Sequence, residues 1–494
     1  MDKIKQKLKN SYLKKIFSDS VIYGFGNIIN RLLGFLLLPL HTFFFRPAEY
    51  GTFSLIYSFG FFAAVFYLFG METSFQKYFI ESKEDKNRKE IFSTTLILLF
   101  FTSLVFSFAI YLFSDKIAFI ITGNTSNGYL VKLLSLLLFI DVLSRFPMIL
   151  INSLQLSKVY TIINVGGVLV NIAANALFII GLGMGIEAIF YALILSYLFM
   201  LVVSFIYCFK YFQFRFNKSR IKTLARFAHS FLYYGIFLII LDQADKFIIQ
   251  YFKGSDEVGI YSACYRIGMI MNLVISGFRT AWIPFFLNLK GEENNKEIFS
   301  KVFSYFVYGG MLFFLVVALF GTDIVEIKLS GFSLLNEKYW NGMTILPFIL
   351  LSYFFFGLFT NVNIASYFEN KIKYLIISSG LGALSNIVFN FLLIPEYSII
   401  GAAVSTMLSY FIMFTALYYF SQKVYFIMYE WKKIFFIITL SIGLYLVNVS
   451  LRDSFSALNL NLYLVYLLKL LSIAVLVFVL FYKKYIKFPQ KRVV

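Results

Sequence analysis

Residues 45–59 read FRPAEYGTFSLIYSF, and residues 252–267 read FKGSDEVGIYSACYRI. Each stretch follows an apolar run and opens the next. Glu49 and Gly51 in the first answer Glu257 and Gly259 in the second, at an offset of 208. Further along, NIAANALFII (171–180) faces NIVFNFLLIP (386–395), where Asn171 and Asn175 answer Asn386 and Asn390 at an offset of 215. The tripeptide LSY recurs at 195–197 and 408–410. Ordered matches at a nearly constant offset mark an internal duplication.

The segments around these motifs are built for lipid. Of 494 residues, 60% are hydrophobic and 14% charged, and mean hydropathy is +0.80. An ordinary soluble domain is about 45–50% apolar and about 25% charged. That contrast excludes a multi-domain soluble enzyme, a disordered chain and a secreted disulfide scaffold. A membrane-crossing helix needs roughly 20 apolar residues. Fourteen segments qualify: 18–45, 50–76, 91–113, 129–152, 159–182, 186–208, 229–252, 257–284, 298–321, 341–368, 373–394, 399–421, 433–451 and 461–482. The fold class expected is an all-α polytopic membrane protein of 14 transmembrane helices.

Net charge is +19, from 44 Lys and Arg against 25 Asp and Glu. In a soluble chain that excess would point to nucleic acid. In a membrane chain it sets orientation, because cytoplasmic loops collect Lys and Arg. With the N-terminus inside, the inside segments and the span ends that abut them hold 31 of the 44 basic residues. The outside segments hold six: Arg46, Lys116, Lys253, Lys328, Lys338 and Arg452. Both termini are therefore expected in the cytoplasm, with no cleavable leader at the lysine-rich start. The duplication then divides the chain into a basic N-terminus (1–17), a six-helix lobe (18–208), a basic loop (209–228), a second six-helix lobe (229–421), two added helices (422–482) and a basic tail (483–494). Six spans per repeat is an even number, so the lobes share one orientation, as in transporters built from parallel repeats.

Charges inside spans are costly and mark functional positions. In span 1, Gly24, Asn27, Arg31 and Gly34 form one helical stripe. In span 8, Ser262, Arg266, Met269, Asn272, Ser276 and Arg279 do the same. Asp141 and Arg145, and Asp242 and Lys246, stand four apart and can pair along their helices. Asp245 sits beside Lys246, and Glu72 lies toward the cytoplasmic end of span 2. A structural reading competes at each place: the i,i+4 pairs as fold elements, Glu72 and Arg279 as interfacial residues, and the paired asparagines as hydrogen bonds between helices. Arg31 and Arg266 lie deep with no acid within four residues, which favours a cavity and an anionic substrate. Guanidinium holds phosphate bidentately. His41, His229, Cys208 and Cys264 are isolated, which argues against a metal site or a disulfide framework.

The stretches SDSVIYGFGNIINRLLGFLLLPLHT (18–42), AEYG (48–51), FGMETSFQKYF (69–79) and DQADKFIIQYFKGSDEVGIYSACYRIG (242–268) resemble the bacterial polysaccharide-biosynthesis transporters, the Wzx-type O-antigen flippases of the multidrug/oligosaccharidyl-lipid/polysaccharide superfamily. The resemblance runs over spans 1–12. It implies two six-helix lobes, with two added helices here, around a central cavity. It implies movement of an undecaprenyl-pyrophosphate-linked oligosaccharide from the cytoplasmic to the outer leaflet of the inner membrane. The cationic cavity it implies falls on Arg31, Lys246, Arg266 and Arg279, with Arg145 and Asn27 beside them. Ion coupling or gating would fall on Asp245, Asp242, Asp141 and Glu72. Partners expected are the lipid-linked substrate, the bilayer, and a polysaccharide polymerase and glycosyltransferases; no nucleic acid is expected, and the working unit is a monomer. Where the family's arginine-or-lysine-tyrosine pattern closes the second span, this chain has Gln76-Lys77-Tyr78.

A cation-coupled drug exporter and a lipid II flippase remain as alternatives within the superfamily. A membrane polymerase or ligase and a scaffold for glycan enzymes are alternatives of other classes. A drug exporter would want an acidic cavity, an enzyme a convergent catalytic set. There is no G-x-x-x-x-G-K-[ST] motif for nucleotide hydrolysis. No cofactor is expected, and a proton or sodium gradient, the membrane potential or consumption of the substrate must supply the energy. Cysteines introduced at positions 124 and 218 should be labelled from opposite sides of the membrane by an impermeant thiol reagent; labelling from one side overturns the span order.

Overall fold

The computed structural model describes residues 35–328, 331, 333–369, 371–457 and 462–482. Most of expected span 1, with Asn27 and Arg31, lies outside the described residues. Seventeen α-helices run in order: α1 (Leu38–Phe44), α2 (Pro47–Leu68), α3 (Met71–Glu81), α4 (Asp85–Leu112), α5 (Ser114–Thr122), α6 (Gly128–Ser153), α7 (Ser157–Asn175), α8 (Glu187–Cys208), α9 (Lys218–Lys253), α10 (Ser255–Gly268), α11 (Ile270–Asn288), α12 (Asn295–Glu326), α13 (Leu346–Val362), α14 (Ile364–Phe368), α15 (Ile372–Val424), α16 (Trp431–Ala457) and α17 (Leu462–Tyr482). No strand occurs among the described residues. Among the described residues, eleven helical segments are long and apolar enough to cross a membrane, twelve if the pair Lys218–His229 and Leu232–Lys253, bent by 45°, is one span. The chain is a multi-pass membrane protein.

Apolar composition placed the spans: the division expected between 373–394 and 399–421 is found as a break at Ser398, and expected span 2 (50–76) contains a break that was not expected. Between α2 and α3, Phe69 and Gly70 turn left-handed, with φ of 48° and 70°. A Cβ on Gly70 would stand 2.5 Å from the Ala228 carbonyl oxygen, so only glycine fits there. Expected span 8 is likewise two helices, α10 and α11, interrupted at Met269. The neighbouring Gly268 lies so close to Ile349 that a Cβ would meet its side chain at 2.5 Å. The polar residues read across 262–279 divide between α10, which holds Ser262 and Arg266, and α11, which holds Asn272, Ser276 and Arg279. The 53-residue α15 is broken at Ser398 (φ 47°, ψ −130°), just after Pro395, which cannot continue the hydrogen-bond ladder. The equivalent position in the first repeat, by the offset of 215, is Gly183, also left-handed at φ 61°.

Two compact units form. The first runs to Ala263 and includes Gly382–Thr406; the second comprises Cys264–Leu381 and Met407–Val494. In the first unit α6 packs against α4 and α8, and α9 packs against α2 and α3. The core contains an aromatic cluster in which Phe146 lies 4.6 Å from Phe75 and 5.7 Å from Phe92 between ring centres. Both ends of the Glu-x-Gly repeat lie in this unit, and they touch. A Cβ on Gly51 would be 1.9 Å from the Ser255 carbonyl oxygen; a Cβ on Gly259 would be 1.9 Å from that of Pro47. The offset of 208 carries Pro47 onto Ser255 and Gly51 onto Gly259. The contact is therefore reciprocal, each residue meeting the counterpart of its own partner, as a two-fold axis between repeats requires.

In the second unit Trp282 stacks on Phe278 and Phe285 and meets Phe286 and Phe299 edge-on. The last helix, α17, is pinned by polar contacts. Lys469, 5% exposed, forms an ion pair with Asp323 of α12 and lies over the Phe320 and Tyr466 rings. Asn448 of α16 donates to Ser472 of α17 at 2.7 Å.

Backbone against backbone leaves no flexible atom to move aside. Gly51→Ala is expected to cost about 2–3 kcal/mol, the upper part of the range for over-packing. Gly60→Ala, whose Cβ would meet only the Leu134 side chain at 2.8 Å, should cost roughly 1 kcal/mol. Thermal melts of the two variants in one detergent measure the difference; equal losses would remove the special status of the glycine contact.

Candidate functional site

The Phe69–Gly70 break starts a new helix, and Glu72 falls in its first turn. A carboxylate there is favoured by the helix dipole. Its Oε1 lies 3.8 Å from an Arg145 guanidinium nitrogen. On α6, Arg145 donates to both Asp141 oxygens, at 2.6 and 3.4 Å. One guanidinium thus binds two carboxylates from two helices. Tyr197 of α8 hydrogen-bonds Tyr57 of α2 and stands in electrostatic reach of Asp141 and Arg145. Tyr160 of α7 is in reach of Glu72 and Arg145. Asp141 is buried, whereas the Arg145 and Glu72 side chains are 41% and 37% accessible, so the network opens on one side.

A second polar group joins α2, α9 and α10. The Lys246 ammonium donates to Gln243 at 2.6 Å and Ser58 at 3.2 Å, and Ser58 donates to Gln243 at 2.8 Å. Asp245, fully buried, accepts from the Tyr261 hydroxyl and from the Lys246 amide. Asp242, one turn away on α9, is half-buried. The repeat asparagines make a third group. Asn175 donates to Asn171 at 3.0 Å, and Asn390 donates to Asn386 at 3.0 Å, the same bond in both repeats. These two bonds run along the helix, since i,i+4 side chains stack on one face, and among the described residues the bond expected between helices is found at Asn175 alone of the four. His41 adds a cross-helix bond to Asn175 at 2.9 Å.

Among the expected site residues, the structure brings Glu72, Asp141 and Arg145 into one network and places Asp245 and Lys246 beside Tyr261 and Ser58. Arg266 is half-buried at the end of α10. Arg279 is exposed on α11, in electrostatic range of the Tyr367 phenol. Asn27 and Arg31 lie outside the described residues. Tyr57, Tyr160 and Tyr197 were hidden in the aromatic excess, which reads as lipid-facing bulk. Lys469 and Asp323 escaped attention too, although a lysine within an apolar run was signal enough. Among the described residues no cluster of three or more His, Cys, Asp or Glu could hold a metal.

Residues 16–290 match the profile of the polysaccharide biosynthesis protein family, more than half of the chain, and the protein belongs to that family. Residues 235–392 also match the MatE profile. A capsular polysaccharide biosynthesis protein of Staphylococcus aureus, CapF, is 24% identical over 182 residues, 36% of this chain and 45% of CapF. An uncharacterised membrane protein of Methanocaldococcus jannaschii is 25% identical over 231 residues, 42% of each chain. The matched regions span less than half the length of both curated relatives. Among solved structures, the lipid II flippase MurJ in an inward closed conformation superposes with a TM-score of 0.74 at 15% identity, over 94% of this chain and 99% of MurJ. An inward-facing multidrug resistance MATE transporter of the MOP superfamily gives 0.58 at 15% identity, over 82% and 95%. The chain shares its fold with these two structures.

Arg145→Ala removes the only guanidinium of the first network. A loss of about 2 kcal/mol is expected, below the ~3–5 kcal/mol of a sealed pair because both partners are partly accessible. Adding Glu72→Gln should restore part of it. A double-mutant cycle on thermal stability reads the coupling; strictly additive effects would dissolve the network.

Proposed function

We propose that the protein is a flippase. It carries an undecaprenyl-pyrophosphate-linked oligosaccharide from the cytoplasmic to the outer leaflet of the bacterial inner membrane, by alternating access, for O-antigen, capsule or exopolysaccharide synthesis. The observation that carries this reading is membership of a polysaccharide biosynthesis family in a chain that places arginines and lysine within membrane-length helices. The pyrophosphate of such a substrate needs cationic, bidentate contacts, and its glycan needs a wet route while its lipid tail remains in the bilayer. Arg31, Arg266, Arg279 and Lys246, with Asn27, supply these contacts. Arg145 is engaged by Asp141 and Glu72, and its role in this reading is to hold that network.

The proposed topology has fourteen spans and two cytoplasmic termini. Residues 18–45 form the first, α15 counts as two because of its break at Ser398, and the lobes are 18–208 and 229–421. The protein works as a transporter rather than an enzyme, and as a monomer. A polymerase and glycosyltransferases act on the same glycan before and after it. Two carboxylates around one guanidinium leave one negative charge in excess when both are ionised. Glu72 and Asp141, with Asp242 and Asp245, are the sites proposed for proton or sodium coupling. The same excess acid favours a second reading, a cation-coupled drug exporter.

Arg266→Ala and Arg31→Ala are each expected to abolish surface polysaccharide in a strain that depends on this protein, at unchanged membrane levels of the variant. Immunoblots of the surface polymer measure it. Arg→Lys at either position should retain part of the activity. Normal polymer in both alanine variants overturns the reading, and drug sensitivity in their place supports the exporter.

A further inference from the structure

The charges of the basic loops are not spread evenly. A cavity of about 570 Å³ is lined by Lys86 and Lys89 from the first turns of α4 and by Gln213, Phe214 and Arg215 from the connection between α8 and α9. The connection reads FKYFQFRFNK over 209–218, with rings and cations interleaved. It is bound to α4 along its length. The Gln213 amide donates to Ser93 Oγ at 2.7 Å, which itself donates to the Tyr211 carbonyl at 3.3 Å, and the Asn217 amide donates to Thr94 Oγ1 at 3.2 Å. Two of the three nearby acids are engaged by other groups, and the third, Asp85, is in electrostatic range of Tyr211. Glu90 accepts from Asn217 at 2.8 Å and pairs with Arg220 at 3.1 Å, and Glu84 accepts from Asn87 at 2.9 Å. Lys86 also acts on Glu90 electrostatically, leaving Lys89 and Arg215 with Lys86 as a positive lining overall.

The position of the cavity selects its occupant. It lies at the ends of two membrane-length segments, Asp85–Leu112 and Glu187–Tyr211. Phe214 is 93% exposed and Phe209 65%. Phenyl rings exposed at a span end bury against the acyl-chain boundary of the bilayer. Basic pockets between helices at that depth take anionic lipid head groups. We propose that this cavity binds the phosphodiester head group of an anionic bilayer phospholipid, with Lys86, Lys89 and Arg215 on the phosphate and Phe214 against the glycerol and upper acyl chain. The site is separate from the polar networks of Glu72 and Lys246, and its occupancy does not depend on what the protein transports.

The test uses the purified full-length protein, stripped of lipid in detergent, and native mass spectrometry with added dioleoyl-phosphatidylglycerol or dioleoyl-phosphatidylcholine. Phosphatidylglycerol is expected to bind in clear preference. The triple variant Lys86→Gln, Lys89→Gln, Arg215→Gln should bind it at least tenfold less. Phe214→Ala should lower it several-fold, and Lys83→Gln, outside the cavity, should leave it unchanged. Arg215→Gln alone serves if the triple variant melts early in phosphatidylcholine. Wild-type retention of phosphatidylglycerol by the cavity variants overturns the proposal. Displacement of the lipid by millimolar inorganic phosphate overturns it too, since the cavity would then be a site for free phosphate.

Discussion

The approach of Gly51 to Gly259 is the constraint on which the first unit depends. Two helix starts meet there with no side chain between them, and each carbonyl occupies the space where the other glycine would carry a Cβ. Bilayer-embedded helices gain little from burying apolar surface, since lipid is as apolar as leucine, and close backbone approach is one of the few forces left. The reciprocity of the contact ties the start of one repeat to the start of the other. Around it stand the other anchors of this region. Lys253 donates to the Pro395 carbonyl at 2.8 Å, and Ser398 donates to Glu257 at 3.0 Å, joining the beginning of α10 to the break in α15.

One polar network stands where a helix breaks. The left-handed Phe69–Gly70 turn places Glu72 in the first turn of α3, 3.8 Å from Arg145. A straight helix would have put Glu72 at a different rotation. A broken span exchanges some backbone hydrogen bonding for control over where a charge points, and irregular backbone at membrane depth is tolerated only where protein or water surrounds it. This is the pattern expected of a protein whose charges serve a passage rather than a core.

Span positions, the repeat and the same-face asparagines were legible in the sequence because each is a local or periodic property. Hydropathy marks the spans, and the i,i+4 spacing of Asn171–Asn175 and Asn386–Asn390 foretold a hydrogen bond, though not its course along the helix. The break at Phe69–Gly70 was not legible, because a lone glycine inside a helical pattern does not by itself end a helix. The Glu72–Arg145 contact joins residues on different helices, beyond any arithmetic of helical faces. Tyr57, Tyr160 and Tyr197 could not be told from lipid-facing rings, since polar partnership depends on tertiary placement and not on residue type.

The Lys469–Asp323 pair bears on how the chain is made. Helices enter the bilayer in order of synthesis, and α12 arrives well before α17. Until then Asp323 has no lysine to meet, and a lysine at the centre of a lone helix costs about 2.5–3.5 kcal/mol to insert. α17 therefore enters most readily when α12 is already seated beside it. Its insertion thus depends on one earlier helix, and without that partner both charges face lipid.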